Sequence, residues 1–407
     1  MLTPDELVLK DNWSDLERIR EKPDIGLECL HAYRTAQLKR EIRHHDVAMC
    51  VMVNPISLRY AINYRNYAAF MSHIPCTYLF YPAEGSFILH NGFEPSIPTS
   101  NQETGHPISY FYGGDNLDHF AGLLAKDVDN FLTEIGTSNR KVAVEYVNPS
   151  ITLALAKLDI DVIDGVLITE RARLIKSEDE VRCIRWAIAV AEHGIGKIKE
   201  SLRPGVSELQ LWGLLNYANL ANDGDWHDGR MLASGPRTNP WFQEASKRKV
   251  ESGDLVAFDT DMIGPMGYFA DISRTLFCGP GKPSQRQKYL YRIAMQEIEH
   301  NLKLIKPGAR FSDLQQSAFA VPEEFQDGAY PCFVHGVGMC DEYPHLKPLN
   351  RGSLPYDGTL ECGMVLCIES YMGSKGERDG VKLEQQVLVT PDGYDLLTTL
   401  PYETDLA

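Results

Sequence analysis

One stretch constrains this chain more than any other: residues 257–275, AFDTDMIGPMGYFADISRT. It places three carboxylates, Asp259, Asp261 and Asp271, among apolar neighbours, so it is not a solvated acidic face. Gly264 to Gly267 reads as a turn between two short strands. Residues two apart on a strand point to one side, which brings Asp259 and Asp261 together, and the returning strand carries Asp271 toward them. Carboxylates crowded into an apolar hairpin repel one another and lose solvation. A bound cation is the simplest compensation.

The rest of the chain supplies partners for that cation. Glu369 lies in the β-like run 364–371 (MVLCIESY) and Glu384 in 381–390 (VKLEQQVLVT), where a lone glutamate would be costly. His335 sits in YPCFVHGVGMCDEYP, residues 330–344. Asp259, Asp261, Asp271, His335, Glu369 and Glu384 therefore form a set of five carboxylates and one imidazole. Such a set suits two divalent ions sharing bridging carboxylates, with iron, manganese, cobalt or zinc all acceptable. No cysteine is expected to take part.

The 407 residues allow two domains. Residues 1–26 read as a polar arm. Residues 27–44 read as a helix, β-like runs fall at 46–53, 76–82, 86–91 and 141–147, and a helix falls near 116–134. This is a small α/β domain over 1–165. Residues 166–407 form the second domain. There 170–202 and 286–304 read as helices, with Ser177 and Glu180 as a capping box on the first. Each helix ends at a Pro-Gly pair, Pro204-Gly205 and Pro307-Gly308, which suggests an internal repeat of two α-plus-hairpin halves.

A net charge of −16 argues against nucleic acid or an anionic membrane as partner. No apolar run approaches the roughly 20 residues that span a bilayer, and the start shows no secretory signal. Nine scattered cysteines without a Cys-x-x-Cys pair fit reduced thiols, hence a cytoplasmic protein.

The order Asp, Asp, His, Glu, Glu, carried by FDTD, GYFADISRT, HGVG, CIES and LEQQVLVT, resembles the creatinase, aminopeptidase P and methionine aminopeptidase family. That resemblance covers roughly residues 168–400. It implies the α/β pita-bread fold with its internal pseudo-twofold, a creatinase-like N-terminal domain, two metal ions and a homodimer.

The chain departs from the family's peptidases at telling places. Those enzymes carry a histidine after a Ser-Gly turn; here the text is SGPRTNPWF, residues 234–242. They carry another in a His-Glu-x-Pro element; here Asp341 stands in Asp-Glu-Tyr-Pro. Asp261 takes the place of a usual glycine. These departures resemble the dimethylsulfoniopropionate lyases of the DddP type. By that resemblance all three hairpin aspartates are ligands, Asp341 is the catalytic base, Tyr330 holds the substrate and iron is the favoured metal. A tryptophan that such lyases draw from the N-terminal domain corresponds to Phe70 here. The substrate is then a small sulfonium carboxylate, for which Tyr330, Tyr343, Trp241 and Phe70 offer aromatic walls. A metallohydrolase acting on Xaa-Pro dipeptides or a creatine-like amide is the alternative. A non-catalytic peptide-binding module is a third reading, against which the full ligand set speaks.

Overall fold

A computed structural model describes residues 22–65, 67–91 and 101–407, so residues 1–21 of the expected arm lie outside the described residues. Two compact units divide the described residues, one over Gly26–Arg173 and the other over 22–25 together with Leu174–Ala407. The first unit thus runs past the expected end near 165, because the helix Val166–Arg173 packs on the helix Leu27–His44.

The first unit is a mixed six-stranded sheet: β1 (Met49–Met52), β2 (Tyr78–Pro82), β3 (Ile88–Asn91), β4 (Gln102–Thr104), β5 (Lys141–Val144) and β6 (Asp161–Asp164). Their order is β4-β3-β2-β1-β5-β6. The helix Leu117–Glu134 covers its apolar core through Leu124, Val128 and Phe131. Phe70 lies in this unit, edge-on to Phe111 and His73.

In the second unit the expected helix 170–202 is interrupted. It breaks over 174–177 and restarts as Glu178–Ser201 at Ser177, whose hydroxyl accepts from Glu180 N while the Glu180 carboxylate accepts from Ser177 N. That reciprocal cap satisfies two orphan amides and fixes the start. The strands follow as β7 (Leu232–Ser234), β8 (Leu255–Phe258), β9 (Met262–Ile263), β10 (Phe269–Ala270), β11 (Arg274–Phe277), β12 (Val334–Val337), β13 (Asp341–Leu346), β14 (Val365–Gly373), β15 (Gly380–Thr390) and β16 (Gly393–Leu396). They form sheets ordered β11-β8-β7, β10-β9 and β13-β12-β14-β15-β16.

The two Pro-Gly pairs occupy equivalent places. Gly205 and Gly308 both have positive φ, 94° and 79°, a conformation glycine adopts without strain. Gly205 N donates to Val250 O and Gly308 N to Leu360 O, each at 2.8 Å. From these partners the chain runs VESGDLVAFD to Asp259 and LECGMVLCIE to Glu369, ten residues each. Asp259 and Glu369 are therefore the same position in two halves of one repeat.

Candidate metal centre

The candidate ligands are placed by strand register. Glu369 on β14 lies opposite Glu384 on β15. Cys367, two residues before Glu369 and so on the same face, lies opposite His335 on β12. On the other side of the centre, Thr260 is fully buried and clamps the hairpin: its hydroxyl donates to Ala270 O at 2.7 Å and accepts from Ile272 N at 3.0 Å. With Ala270 paired to Met262, this clamp brings Asp261 and Asp271 alongside each other. The expected strand alternation is not what joins Asp259 to Asp261. Both lie outside the strands, and Asp261 turns through a left-handed conformation with φ of 37°.

All six expected ligands converge. Three groups have donor atoms mutually within 4.8 Å: Asp271, His335, Cys367 and Glu384; Asp259, Glu369 and Glu384; and Asp259, Asp261 and Asp271. Asp259, Asp271 and Glu384 each belong to two groups, the pattern of carboxylates that bridge ions. The residues fit a metal on independent grounds. Asp259 Oδ1, Asp271 Oδ1 and Glu384 Oε1 are buried without a hydrogen-bond partner, a costly state that a cation relieves. The His335 tautomer also fits: Nδ1 donates to Gly336 O at 3.0 Å, leaving Nε2 to face Glu369 at 3.4 Å and Asp271 at 3.6 Å.

Two groups at the centre escape a reading based on ligand order. Lys382 is fully buried; its ammonium lies 3.0 Å from Asp259 Oδ2, donates to Ser273 Oγ at 2.6 Å and bonds the Glu369 carboxylate. Two divalent ions would carry four positive charges against five carboxylates, and Lys382 would supply the fifth. Its position two residues before Glu384, on the same strand face, was the available signal. Cys367 is the second: against the expectation that no cysteine is positioned at the centre, its sulfur lies within 4.8 Å of donor atoms of Asp271, His335 and Glu384. Burial, then the charges of Glu384 and Asp271, push its thiol up.

The aromatic residues divide. The Tyr330 ring carries the Lys382 ammonium 4.5 Å from its centroid and stacks on Phe242 at 5.5 Å. Trp241 lies 5.9 Å from the same ammonium. Tyr343 instead packs on Phe311 and Tyr356, away from the expected wall, because its strand position directs it into the apolar core. Asp341 is two-thirds exposed at the rim, with Oδ1 3.5 Å from His335 Nδ1. Its neighbour Glu342 is buried against Lys176 at 2.9 Å and anchors that rim.

The electrostatics favour protons where ions are absent. Burial raises Asp261, aided by the Asp259 charge; burial and Glu384 raise Asp271; burial and Glu369 raise Glu384. Burial opposes ionised Asp259 too, but the Lys382 ammonium outweighs it and holds that carboxyl low. Burial would lower His335, yet Asp341 and Glu369 lift it to about 10. A carboxyl raised above its unfolded value stabilises the fold at low pH and loses that contribution as pH rises through the raised value. His335 acts in the same direction, complete below 6.5 and lost toward about 10. The stabilisation gained on adding Mn2+ or Fe2+ is therefore expected to grow between about pH 5 and pH 8, since the ion replaces protons that are being lost. Thermal melts with and without metal across that range check it; a gain that shrinks with pH contradicts it.

Residues 182–391 match the family described as metallopeptidase family M24. The chain belongs to the M24 family. The dimethylsulfoniopropionate lyase DddP of Roseovarius nubinhibens is 33% identical over 96% of this chain and 88% of that protein. The enzyme of the same name from Roseobacter denitrificans is 32% identical over 94% and 88%. An Xaa-Pro dipeptidase of Pyrococcus furiosus is 26% identical over 78% of this chain and 88% of its own length. The Xaa-Pro dipeptidase structure from Bacillus anthracis has a similar fold, covering 91% of this chain and 98% of its own with a TM-score of 0.69 at 22% identity.

Proposed function

We propose that this M24 protein is a metal-dependent carbon–sulfur lyase that cleaves dimethylsulfoniopropionate to acrylate and dimethyl sulfide. The observation that carries the reading is the 33% identity, over nearly the whole chain, to a relative named for that activity. Asp259, Asp261, Asp271, His335, Glu369 and Glu384 would hold two divalent ions. Bound ions would withdraw charge from the substrate carboxylate and acidify the adjacent α C–H.

The chain's own groups do the rest. Asp341, exposed at the rim and backed by the imidazole, accepts the α-proton. The C–H electrons form the double bond, the C–S bond breaks toward sulfur, and dimethyl sulfide departs neutral. No water is consumed, so the peptidases' additional histidines are unnecessary. Tyr330 already engages Lys382 and Phe242 through its ring, so it offers its hydroxyl. Burial raises that phenol, which stays a proton donor toward a carboxylate. Trp241 is the aromatic surface for the sulfonium. Phe70, in place of a tryptophan, would tune substrate choice. Iron is the ion favoured by the resemblance, a homodimer is its assembly, and nine scattered cysteines without a Cys-x-x-Cys pair support a cytoplasmic setting.

Asp341 also lies 3.5 Å from His335 Nδ1, and two substitutions separate base from support. Asp341→Asn keeps an oxygen for His335 Nδ1 but cannot take a proton. If Asp341 is the base, Asp341→Asn retains metal and loses headspace dimethyl sulfide by about 10²–10⁴-fold, as does Asp341→Ala. Activity of Asp341→Asn near the parent level would reject Asp341 as base. The second reading, an Xaa-Pro dipeptidase, is favoured by the likeness to the Pyrococcus furiosus enzyme. Proline release from Xaa-Pro dipeptides, without dimethyl sulfide, would establish it instead.

A further inference from the structure

We propose that Cys367 is a ligand of the ion held by His335, making the two metal positions chemically unequal. The inference rests on reading the carboxylate cluster as a metal centre, but not on the lyase reaction. Cys367 Sγ shares a group with Asp271, His335 and Glu384 in which all donor atoms lie within 4.8 Å. Two of those neighbours point to a ligand independently: Asp271 Oδ1 and Glu384 Oε1 are buried and unpartnered. Register explains the placement, since Cys367 faces His335 across β12 and β14 and shares a strand face with Glu369.

The fold does not demand a thiol here. Counting from the repeat, Cys367 stands where Ala257 stands in the other half, two residues before Asp259. Ala257 and Cys367 are both fully buried, so the interior at that position accepts a side chain with no metal-binding atom. With sulfur added, one position offers nitrogen, sulfur and two carboxylate oxygens, a donor set for zinc, cobalt or iron(II). The remaining groups, Asp259 with Glu369 and Glu384, and Asp259 with Asp261 and Asp271, are all oxygen and suit a harder ion such as manganese. On binding, the sulfur lone pair forms the metal bond, the S–H bond breaks and its proton passes to solvent; nothing is oxidised or reduced.

The test uses full-length protein stripped with chelator and reloaded. With Co2+, the parent protein should show near-ultraviolet sulfur-to-cobalt charge-transfer absorption that Cys367→Ser lacks. The Zn2+ over Mn2+ preference should fall about tenfold or more in Cys367→Ser. X-ray absorption at the zinc edge needs no variant: the parent should show a Zn–S shell near about 2.3 Å beside the nitrogen and oxygen shell. Bound cobalt or zinc without a sulfur signal would overturn the proposal, as would a signal or preference unchanged in Cys367→Ser. No bound ion would overturn the metal centre along with it. A sulfur signal in protein that releases no dimethyl sulfide would uphold Cys367 and reject only the lyase reading.

Discussion

Asp261→Ala is expected to lose bound metal and activity together, with dimethyl sulfide release falling at least about a hundredfold. Asp261 is partly exposed at the mouth of the hairpin, whereas Asp259 and Asp271 are buried. Its removal takes a donor from the all-oxygen group and leaves the fold's interior intact. The left-handed backbone at Asp261 tolerates alanine poorly, so Asp261→Asn and Asp261→Gly separate the two causes. Glycine relieves the backbone and still removes the carboxylate. If Asp261→Gly keeps two ions per chain by metal analysis and full activity, the carboxylate is not a ligand.

Lys382→Met is expected to destabilise the metal-free protein by about 3–5 kcal/mol, the cost of removing one partner from a buried ionic network. The ammonium is enclosed by Asp259, Glu369 and Glu384, whose oxygens lie 3.0 Å away, in direct bond and 4.0 Å away, respectively. Methionine fills similar space, so packing changes little. Saturating metal should restore much of the loss, because two divalent ions draw on the same carboxylates. Chemical denaturation of stripped and loaded protein measures both effects. Equal destabilisation in the two states would mean that Lys382 supports the fold by a route separate from the metal centre.

Much of this was legible in the residues, and the failures are instructive. The helix Leu27–His44 emerged with its expected ends because apolar periodicity and a basic last turn mark it. Glu369 and Glu384 stood out because carboxylates inside β-like apolar runs need a reason. The two-residue strand rule fails for Asp259 and Asp261, where a left-handed turn sets the geometry, and holds for Cys367 with Glu369 and for Lys382 with Glu384. Tyr343 misled for a related reason: nearness to Asp341 in sequence says nothing about which face of β13 a ring takes. The break at 174–177 lay in a region of unbroken helical composition, and only the Ser177 cap hinted at a fresh start.

The equivalence of Asp259 and Glu369 has a mechanical meaning. One half of the repeat supplies Asp259, Asp261 and Asp271; the other supplies His335, Glu369 and Glu384. Neither half owns a complete centre. A bound pair of ions would act as a rivet through the seam, added to the bonds by which Lys382 already joins Asp259 and Ser273 across it. A chain nicked in the Gly279–Lys282 connection, between β11 and the helix Gln285–Leu302, would then need more denaturant to separate while loaded than after chelation.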